Sequence, residues 1–210
     1  MAYTMTEIQA LPLFSTPVYV TDPDRDMPDI LPQVKSLEYV RYSYSDLAHR
    51  TTDQQVLESF PEMAKWLERH INEYTHGMLG ISSEHHRMKV TTSWVNKYNV
   101  GGSSYPHFHD NSMYSGNVFL SGNSGALVFE RHKHSMMKPT IAIQNIYNST
   151  QYKIAPRDSV LVLFPSNVVH FTEPTNVERY TLSFNMRVEG TPVWIEDQFT
   201  EEQNADLRMD

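Results

Sequence analysis

The chain of 210 residues contains no cysteine, and it lacks any apolar run of the length that crosses a membrane. The absence of cysteine excludes disulfide bonds, thiolate zinc sites and cysteine nucleophiles. The N-terminus also lacks a basic region followed by an apolar stretch, the pattern of an export signal. The missing export signal and the missing membrane-length run predict a cytoplasmic protein with no membrane partner, whereas the lack of cysteine does not identify the compartment.

An excess of positive charge is also missing. The chain carries 17 Lys and Arg against 25 Asp and Glu, a formal net charge of −8, and no stripe of basic residues stands out. Nucleic acid is therefore not an expected partner. Much of the acidic excess lies in residues 196–210, which we expect to be a solvated tail. The expected partner is a small-molecule or peptide substrate, and a homo-oligomer is left open.

The clearest helix signal is an apolar stripe from Leu57 to Met78, which repeats at alternating steps of three and four residues. This spacing predicts an amphipathic helix. Ser59 and Glu62 match a capping box at its start, and Gly80 is a suitable stop. A second, short helix is predicted within residues 31–39.

Strand signals dominate from about residue 88. Runs rich in β-branched and aromatic residues occur at 89–98, 114–120, 126–130, 140–147, 160–164 and 180–188, with turn residues between them. A short strand at 13–20 contains a proline, which favours the edge of a sheet. Many short strands at this spacing predict a mainly β protein, either a sandwich or a barrel.

Three histidines form the strongest candidate site. His107 and His109 are two residues apart, so both point to one face of an extended segment. His170 ends the run 160–170, and a distant strand can bring it to the same ion. Arg179 follows nine positions later and opens another strand-like run. This pattern indicates a metal site with an anion clamp beside it, although imidazole ligands alone do not choose among iron, copper, nickel and zinc.

A second pair with the same spacing, His132 and His134, is a weaker candidate. Its neighbours Arg131 and Lys133 are cationic, which disfavours a bound cation, and no third ligand is evident. We assign this pair to a loop or to a surface that faces the substrate.

The last strand-like run alternates strictly between apolar and polar residues. Residues 180, 182, 184, 186 and 188 are apolar, whereas residues 179, 181, 183, 185 and 187 are polar. A polar face of this kind is ordinarily exposed to water. If it lines the inside of a barrel instead, it forms a binding pocket.

Motifs across residues 88–188 resemble a known family. The first half carries YNVGG at 98–102, YPHFHDNS at 105–112 and SGNVFL at 115–120; the second half carries PRDSVLVLFPS at 156–166, HFTEP at 170–174 and ERYTLSFN at 178–185. In order and spacing this resembles 2-oxoglutarate- and Fe(II)-dependent oxygenases of the prolyl-hydroxylase-like branch, and among them the small oxygenases of marine bacteria and phages.

The resemblance implies a double-stranded β-helix, a jelly-roll or cupin-like barrel with N-terminal helices, that uses Fe(II), 2-oxoglutarate and O2. His107 and His170 would be metal ligands, and Arg179 would pair with the far carboxylate of 2-oxoglutarate. Ser183 would bind the same carboxylate. Tyr98 and Asn117 are weaker candidates for contacting the co-substrate.

One position departs from the family pattern. The usual site has two histidines and a carboxylate, with the carboxylate two residues after the first histidine. That position holds His109, and Asp110 comes one residue later. Either His109 is the ligand, or a bulge brings Asp110 to the metal, or the site is inactive. We favour His109, because its parity places it beside His107 without distortion.

The sequence therefore predicts residues 1–87 as a supporting region, 88–195 as the oxygenase core and 196–210 as a tail. The predicted enzyme is a hydroxylase that acts on an unactivated C–H bond, with a peptidyl or free amino acid as the leading substrate. Two alternatives remain. One is a three-histidine cupin-type dioxygenase that uses no 2-oxoglutarate. The other is a non-enzymatic β-barrel that binds a ligand or takes part in an assembly.

Overall fold

The computed structural model describes residues 15–42, 46–131 and 140–190. The predicted tail at 196–210, the pair His132 and His134, and the first residues of the predicted strand at 13–20 lie outside the described residues. The strands are β1 (Tyr19–Val20), β2 (Tyr39–Arg41), β3 (Ala48–Thr51), β4 (His86–Tyr98), β5 (Tyr114–Ser121), β6 (Leu127–Glu130), β7 (Gln151–Ile154), β8 (Leu161–Pro165), β9 (Val169–Thr172) and β10 (Arg179–Gly190).

The predicted long helix forms in three pieces: a 3₁₀ turn at Val56–Ser59, helix α2 at Pro61–Asn72 and a π-helical turn at Glu73–Met78. The predicted stop is confirmed, because Gly80 has a φ of +66°, which strains an L side chain. The predicted capping box is wrong. The residue before α2 is Phe60, no side chain caps the helix, and proline occupies its first position, where no backbone N–H needs a partner. Upstream, the predicted short helix is α1 at Leu31–Lys35.

Two antiparallel sheets form the body of the protein. The larger has the strand order β1-β8-β5-β10-β4-β3-β2, and the smaller has the order β7-β6-β9. Among the described strands, β1 pairs with β8 alone and lies at an edge, as predicted for its proline-containing run. The predicted mainly β class with N-terminal helices is confirmed.

The larger sheet separates two apolar clusters. On its outer face, Leu182 and Phe184 of β10 pack with the helices, including Met63 and Leu67 of α2. On its inner face, Phe164 of β8 is part of a cluster with residues of the smaller sheet. The inner face near β4 and β10 is polar, so the space between the sheets is a candidate binding pocket.

The strand predicted at 140–147 is wrong. These residues form bends and turns with exposed side chains. Asparagine side chains compete with strand pairing here: Asn145 Oδ1 accepts a hydrogen bond from the backbone N–H of Tyr147, and Asn148 Nδ2 donates to the carbonyl of Ile143. No helix in the three described segments has the length and apolar character needed to cross a membrane.

Candidate metal centre

The three histidines come from two extended segments that pair with each other. The backbone N–H of His107 donates to the carbonyl of His170 at 3.0 Å, and the reverse bond measures 2.8 Å. The N–H of His109 donates to the carbonyl of Ser166 at 2.9 Å. This pairing places β9 beside the segment that contains His107 and His109, so sequence neighbours and a distant residue meet at one point.

The ring nitrogens of His107, His109 and His170 lie within 4.8 Å of one another. The Nε2 atoms of His109 and His170 are 3.2 Å apart, and the rings of His107 and His170 have centroids 4.4 Å apart. The alternative ligand Asp110 is exposed and is not in this group. The geometry therefore supports the three-histidine interpretation over the bulged carboxylate.

Hydrogen bonds fix the protonation of the three rings. Nδ1 of His107 lies 2.8 Å from the carbonyl oxygen of Tyr105, and Nδ1 of His170 lies 2.9 Å from that of Val168. Nδ1 of His109 lies 2.6 Å from Oδ1 of Asn185. Each oxygen is an acceptor, so each Nδ1 carries the proton and each neutral ring presents a bare Nε2.

Two bare Nε2 atoms 3.2 Å apart repel unless a cation lies between them. A proton is disfavoured there. Burial, with a smaller contribution from His107, lowers the pKa of His170 to about 3, and burial also lowers the pKa of His109. Neutral imidazoles whose lone pairs converge are the ligands that a divalent transition metal requires. The donor set thus fits an iron ion.

Arg179 is fully buried on β10. Its Nη1 donates to the carbonyls of Ser124 and Gly125, and its guanidinium lies 4.5 Å from the centre of the Tyr98 ring. Its Nε and Nη2 atoms are buried and have no hydrogen-bond partner among the described residues. An unpaired edge of a buried guanidinium fits a carboxylate, which can accept two parallel bonds.

The other predicted co-substrate residues lie in the same region. One pocket is lined by His107, His109, His170, Tyr98, Asn117 and Ser183, together with Tyr42, Trp94, Asn96, Ser104, Gly116, Leu127, Phe164 and Thr172. Ser183 on the polar face of β10 therefore lines the pocket, and Arg179 and Thr181 on the same face are buried. Arg179 approaches this pocket through its contact with the Tyr98 ring.

Two residues that hold site side chains in place were missed by sequence reasoning. Asn185 holds His109, and Asn96 donates from Nδ2 to Ser183 Oγ at 2.9 Å. The signal for Asn185 was present, since it belongs to the polar face of β10. Asn96 has the matching parity on β4, but neighbouring polar residues on that strand obscured the alternation.

Residues 92–185, a little under half of the chain, match the model of the family described as "Putative 2OG-Fe(II) oxygenase". This match confirms the resemblance to 2-oxoglutarate- and Fe(II)-dependent oxygenases drawn from the motifs. It favours an iron enzyme that uses 2-oxoglutarate over the cupin-type and non-enzymatic alternatives. No match was found among curated proteins.

Solved structures support the same fold. HygX from Streptomyces hygroscopicus, with nickel, 2-oxoglutarate and hygromycin B bound, is 13% identical with a TM-score of 0.56, over 92% of this chain and 90% of HygX. A prolyl hydroxylase from Trichoplax adhaerens, in complex with a hypoxia inducible factor peptide fragment, is 16% identical with a TM-score of 0.53. The match covers 80% of this chain and 82% of the Trichoplax chain. A Pseudomonas putida prolyl-4-hydroxylase is 15% identical with a TM-score of 0.51, over 84% of this chain and 95% of the Pseudomonas chain. The predicted double-stranded β-helix is thereby confirmed.

Proposed function

We propose that this chain, a 2-oxoglutarate- and Fe(II)-dependent oxygenase by the family match of residues 92–185, hydroxylates an unactivated C–H bond of an amino-acid side chain, free or within a peptide. His107, His109 and His170 would hold the iron. The observation that carries this assignment is the 3.2 Å separation of two bare Nε2 atoms in a buried site that disfavours a proton.

The co-substrate would lie along the polar face of β10. Arg179 would bind the far carboxylate through Nε and Nη2, which have no partner among the described residues. Tyr98, Ser183 and Asn117 would contact the same molecule from the pocket wall. When bound, iron and 2-oxoglutarate couple decarboxylation to succinate with oxygen insertion from O2 into the C–H bond. The chain's own part is to hold the ligands and to keep water from the buried site.

The pocket lining supports an uncharged reacting group. Among the described residues, no aspartate, glutamate or lysine lines the pocket. Trp94, Leu127 and Phe164 give this wall apolar surface that an aliphatic amino-acid side chain can contact. The Trichoplax enzyme, which has the same fold, was solved with a peptide fragment, which is consistent with a peptidyl substrate.

Two regions of the chain would have different roles. Residues 88–195 would form the catalytic core, of which 191–195 lie outside the described residues. Residues 1–87 would support it, because α2 packs on the outer face of the larger sheet. This arrangement leaves the pocket on the inner face free for ligands.

Succinate formation tests the proposal. The protein with Fe(II), 2-oxoglutarate and O2 should release succinate slowly even without its substrate, and faster when candidate peptides or amino acids are added. The His170→Ala variant should release none. If the wild-type protein retains iron yet forms no succinate under any of these conditions, the proposed activity is wrong.

A further inference from the structure

A chain of hydrogen bonds runs along the pocket wall from β4 to β10. Nε1 of Trp94 donates to Oδ1 of Asn96 at 3.1 Å, and Nδ2 of Asn96 donates to Oγ of Ser183 at 2.9 Å. Nδ2 of Asn117 on β5 also donates to Ser183 Oγ, at 3.2 Å. All four residues line the pocket that contains the three imidazoles.

The indole sets the direction of this chain. An indole N–H can only donate, so the partner atom on Asn96 has to be its oxygen. The amide nitrogen of Asn96 therefore faces Ser183, and Ser183 accepts. With a second bond accepted from Asn117, both acceptor positions of the Ser183 hydroxyl are used. Its own proton is left to donate into the pocket.

Turning the Asn117 amide round does not change the outcome. Its oxygen would then accept the Ser183 proton, and its NH₂ group would be the unused donor at the buried position that Oδ1 now occupies. In the arrangement found here, Oδ1 of Asn117 is buried and has no partner among the described residues. In either arrangement the chain of hydrogen bonds ends in an unused donor on a residue that lines the pocket.

We propose that Trp94 and Asn96 are positioning residues that fix the donor-to-acceptor direction of this chain of hydrogen bonds, so that Ser183 and Asn117 present a donor to the co-substrate. The inference rests on the proposed function, since 2-oxoglutarate as a dianion has only acceptor atoms. Ser183 is well placed for this role. On β10 it lies between Asn185, which holds His109, and Arg179.

The direct test removes the indole donor with Trp94→Phe. Phe keeps a ring beside His109, whose centroid lies 5.9 Å from that of Trp94. Without the indole N–H, the Asn96 amide is free to turn, and its oxygen then takes the Ser183 proton. Calorimetric titration of the nickel-loaded protein with 2-oxoglutarate should show binding at least about tenfold weaker, the loss expected for one hydrogen bond to a charged group. Nickel content should be unchanged.

A double variant separates polarity from packing. If Trp94 acts through the Ser183 proton, Trp94→Phe should have no further effect in a Ser183→Ala background. The matched control is Trp66→Phe. It removes an indole donor to Asp24, neither residue lines the pocket, and 2-oxoglutarate binding should be unchanged. An equal loss in both backgrounds, or no loss in Trp94→Phe, overturns the inference.

A second pair of variants keeps the indole and covers the case in which Trp94→Phe fails to fold. In Asn96→Asp, the carboxylate accepts from both Trp94 and Ser183 and consumes the donor. In Asn96→Ala, the Ser183 hydroxyl stays free. Binding should therefore be weaker in Asn96→Asp than in Asn96→Ala, and the reverse order overturns the inference. If the wild-type protein itself binds no 2-oxoglutarate, the proposed function is wrong, and this inference is wrong with it.

Discussion

Asn185 holds His109 in place: its Oδ1 lies 2.6 Å from Nδ1 of the imidazole and accepts the ring proton. The same oxygen accepts from Ser115 Oγ at 2.9 Å, while Nδ2 of Asn185 donates to Thr92 Oγ1 at 3.3 Å. Asn185 and Arg179 lie on the same face of β10. One strand thus orients a candidate metal ligand at one position and supplies a candidate anion clamp six residues earlier.

We expect Asn185→Ala to weaken metal binding about 10- to 100-fold, because His109 loses the bond that fixes its tautomer and ring orientation. Calorimetric titration of the metal-free protein with Ni(II) measures the effect. Asn72→Ala, at an exposed position of α2, is the matched control and should bind nickel as the wild type does. Unchanged affinity in Asn185→Ala would show that the hydrogen bond does not position the ligand.

Each of His107→Ala, His109→Ala and His170→Ala should sharply reduce Fe(II) retention, because each removes one of three converging ligands. Metal analysis after anaerobic loading and desalting gives the result. His85→Ala, at an exposed histidine, should retain iron. Our ligand assignment is wrong if His109→Ala keeps its iron while Asp110→Ala loses it.

Arg179→Ala should retain iron and lose affinity for 2-oxoglutarate by roughly 2–5 kcal/mol, since a buried charge-assisted pair is removed. Arg179→Lys should also bind weakly, because an ammonium lacks the planar fork. Titration of the nickel-loaded variants with 2-oxoglutarate checks both. Arg157→Ala, at an exposed arginine, serves as the control. Equal 2-oxoglutarate affinity in Arg179→Ala and wild type would favour a different anion site.

The metal-free protein should lose stability as the pH falls below about 6.5, the pKa of histidine in the unfolded chain. Burial lowers the pKa of His170 to about 3 and also lowers that of His109. Between about pH 6.5 and about pH 3 the unfolded chain binds a proton at His170 that the folded chain does not. The free energy of unfolding should therefore fall by about 1.4 kcal/mol per pH unit for His170, and His109 should contribute in the same direction.

Urea unfolding of the metal-free protein at about pH 7 and about pH 5 measures this slope. His170→Gln should flatten it, whereas His85→Gln, at an exposed position, should not. A slope that is the same in His170→Gln and wild type would mean that His170 is not the group that resists protonation.

The sequence predicted which histidines come together better than it predicted the outline of the sheets. Parity placed His107 and His109 on one face, and the alternation of β10 separated its buried polar face from its apolar face. Such patterns are visible because a side chain's face depends only on its position within a strand. Whether the polar face was inside or outside depended on the smaller sheet, whose pairing is not local.

The predictions failed where local side-chain chemistry competed with the strand pattern. Residues 140–147 have the composition of a strand, yet asparagine side chains take the backbone groups that a strand would pair. Strands β2, β3 and β7 are three or four residues long and were not predicted, and β9 was expected only as a strand of undefined bounds that carries His170. Runs that short carry too little periodicity to be distinguished from loops.

The hydrogen bonds between side chains of the site could not be predicted from the sequence either. Asn96 contacts Ser183 only because β4 and β10 are paired in a particular register, with Ser183 opposite Trp94. A shift of one residue would turn these side chains to the outer face. Register of this kind is decided by the packing of the whole sheet, and no single motif encodes it.

Three histidines would hold an iron that binds 2-oxoglutarate beside Arg179. Anaerobic titration with Fe(II) and then with 2-oxoglutarate, followed by visible absorption, tests this arrangement most directly. We expect a metal-to-ligand charge-transfer band that forms only when both are present, disappears in His109→Ala and requires much more 2-oxoglutarate in Arg179→Ala. Retention of iron by the wild-type protein with no such band at saturating 2-oxoglutarate would contradict the account.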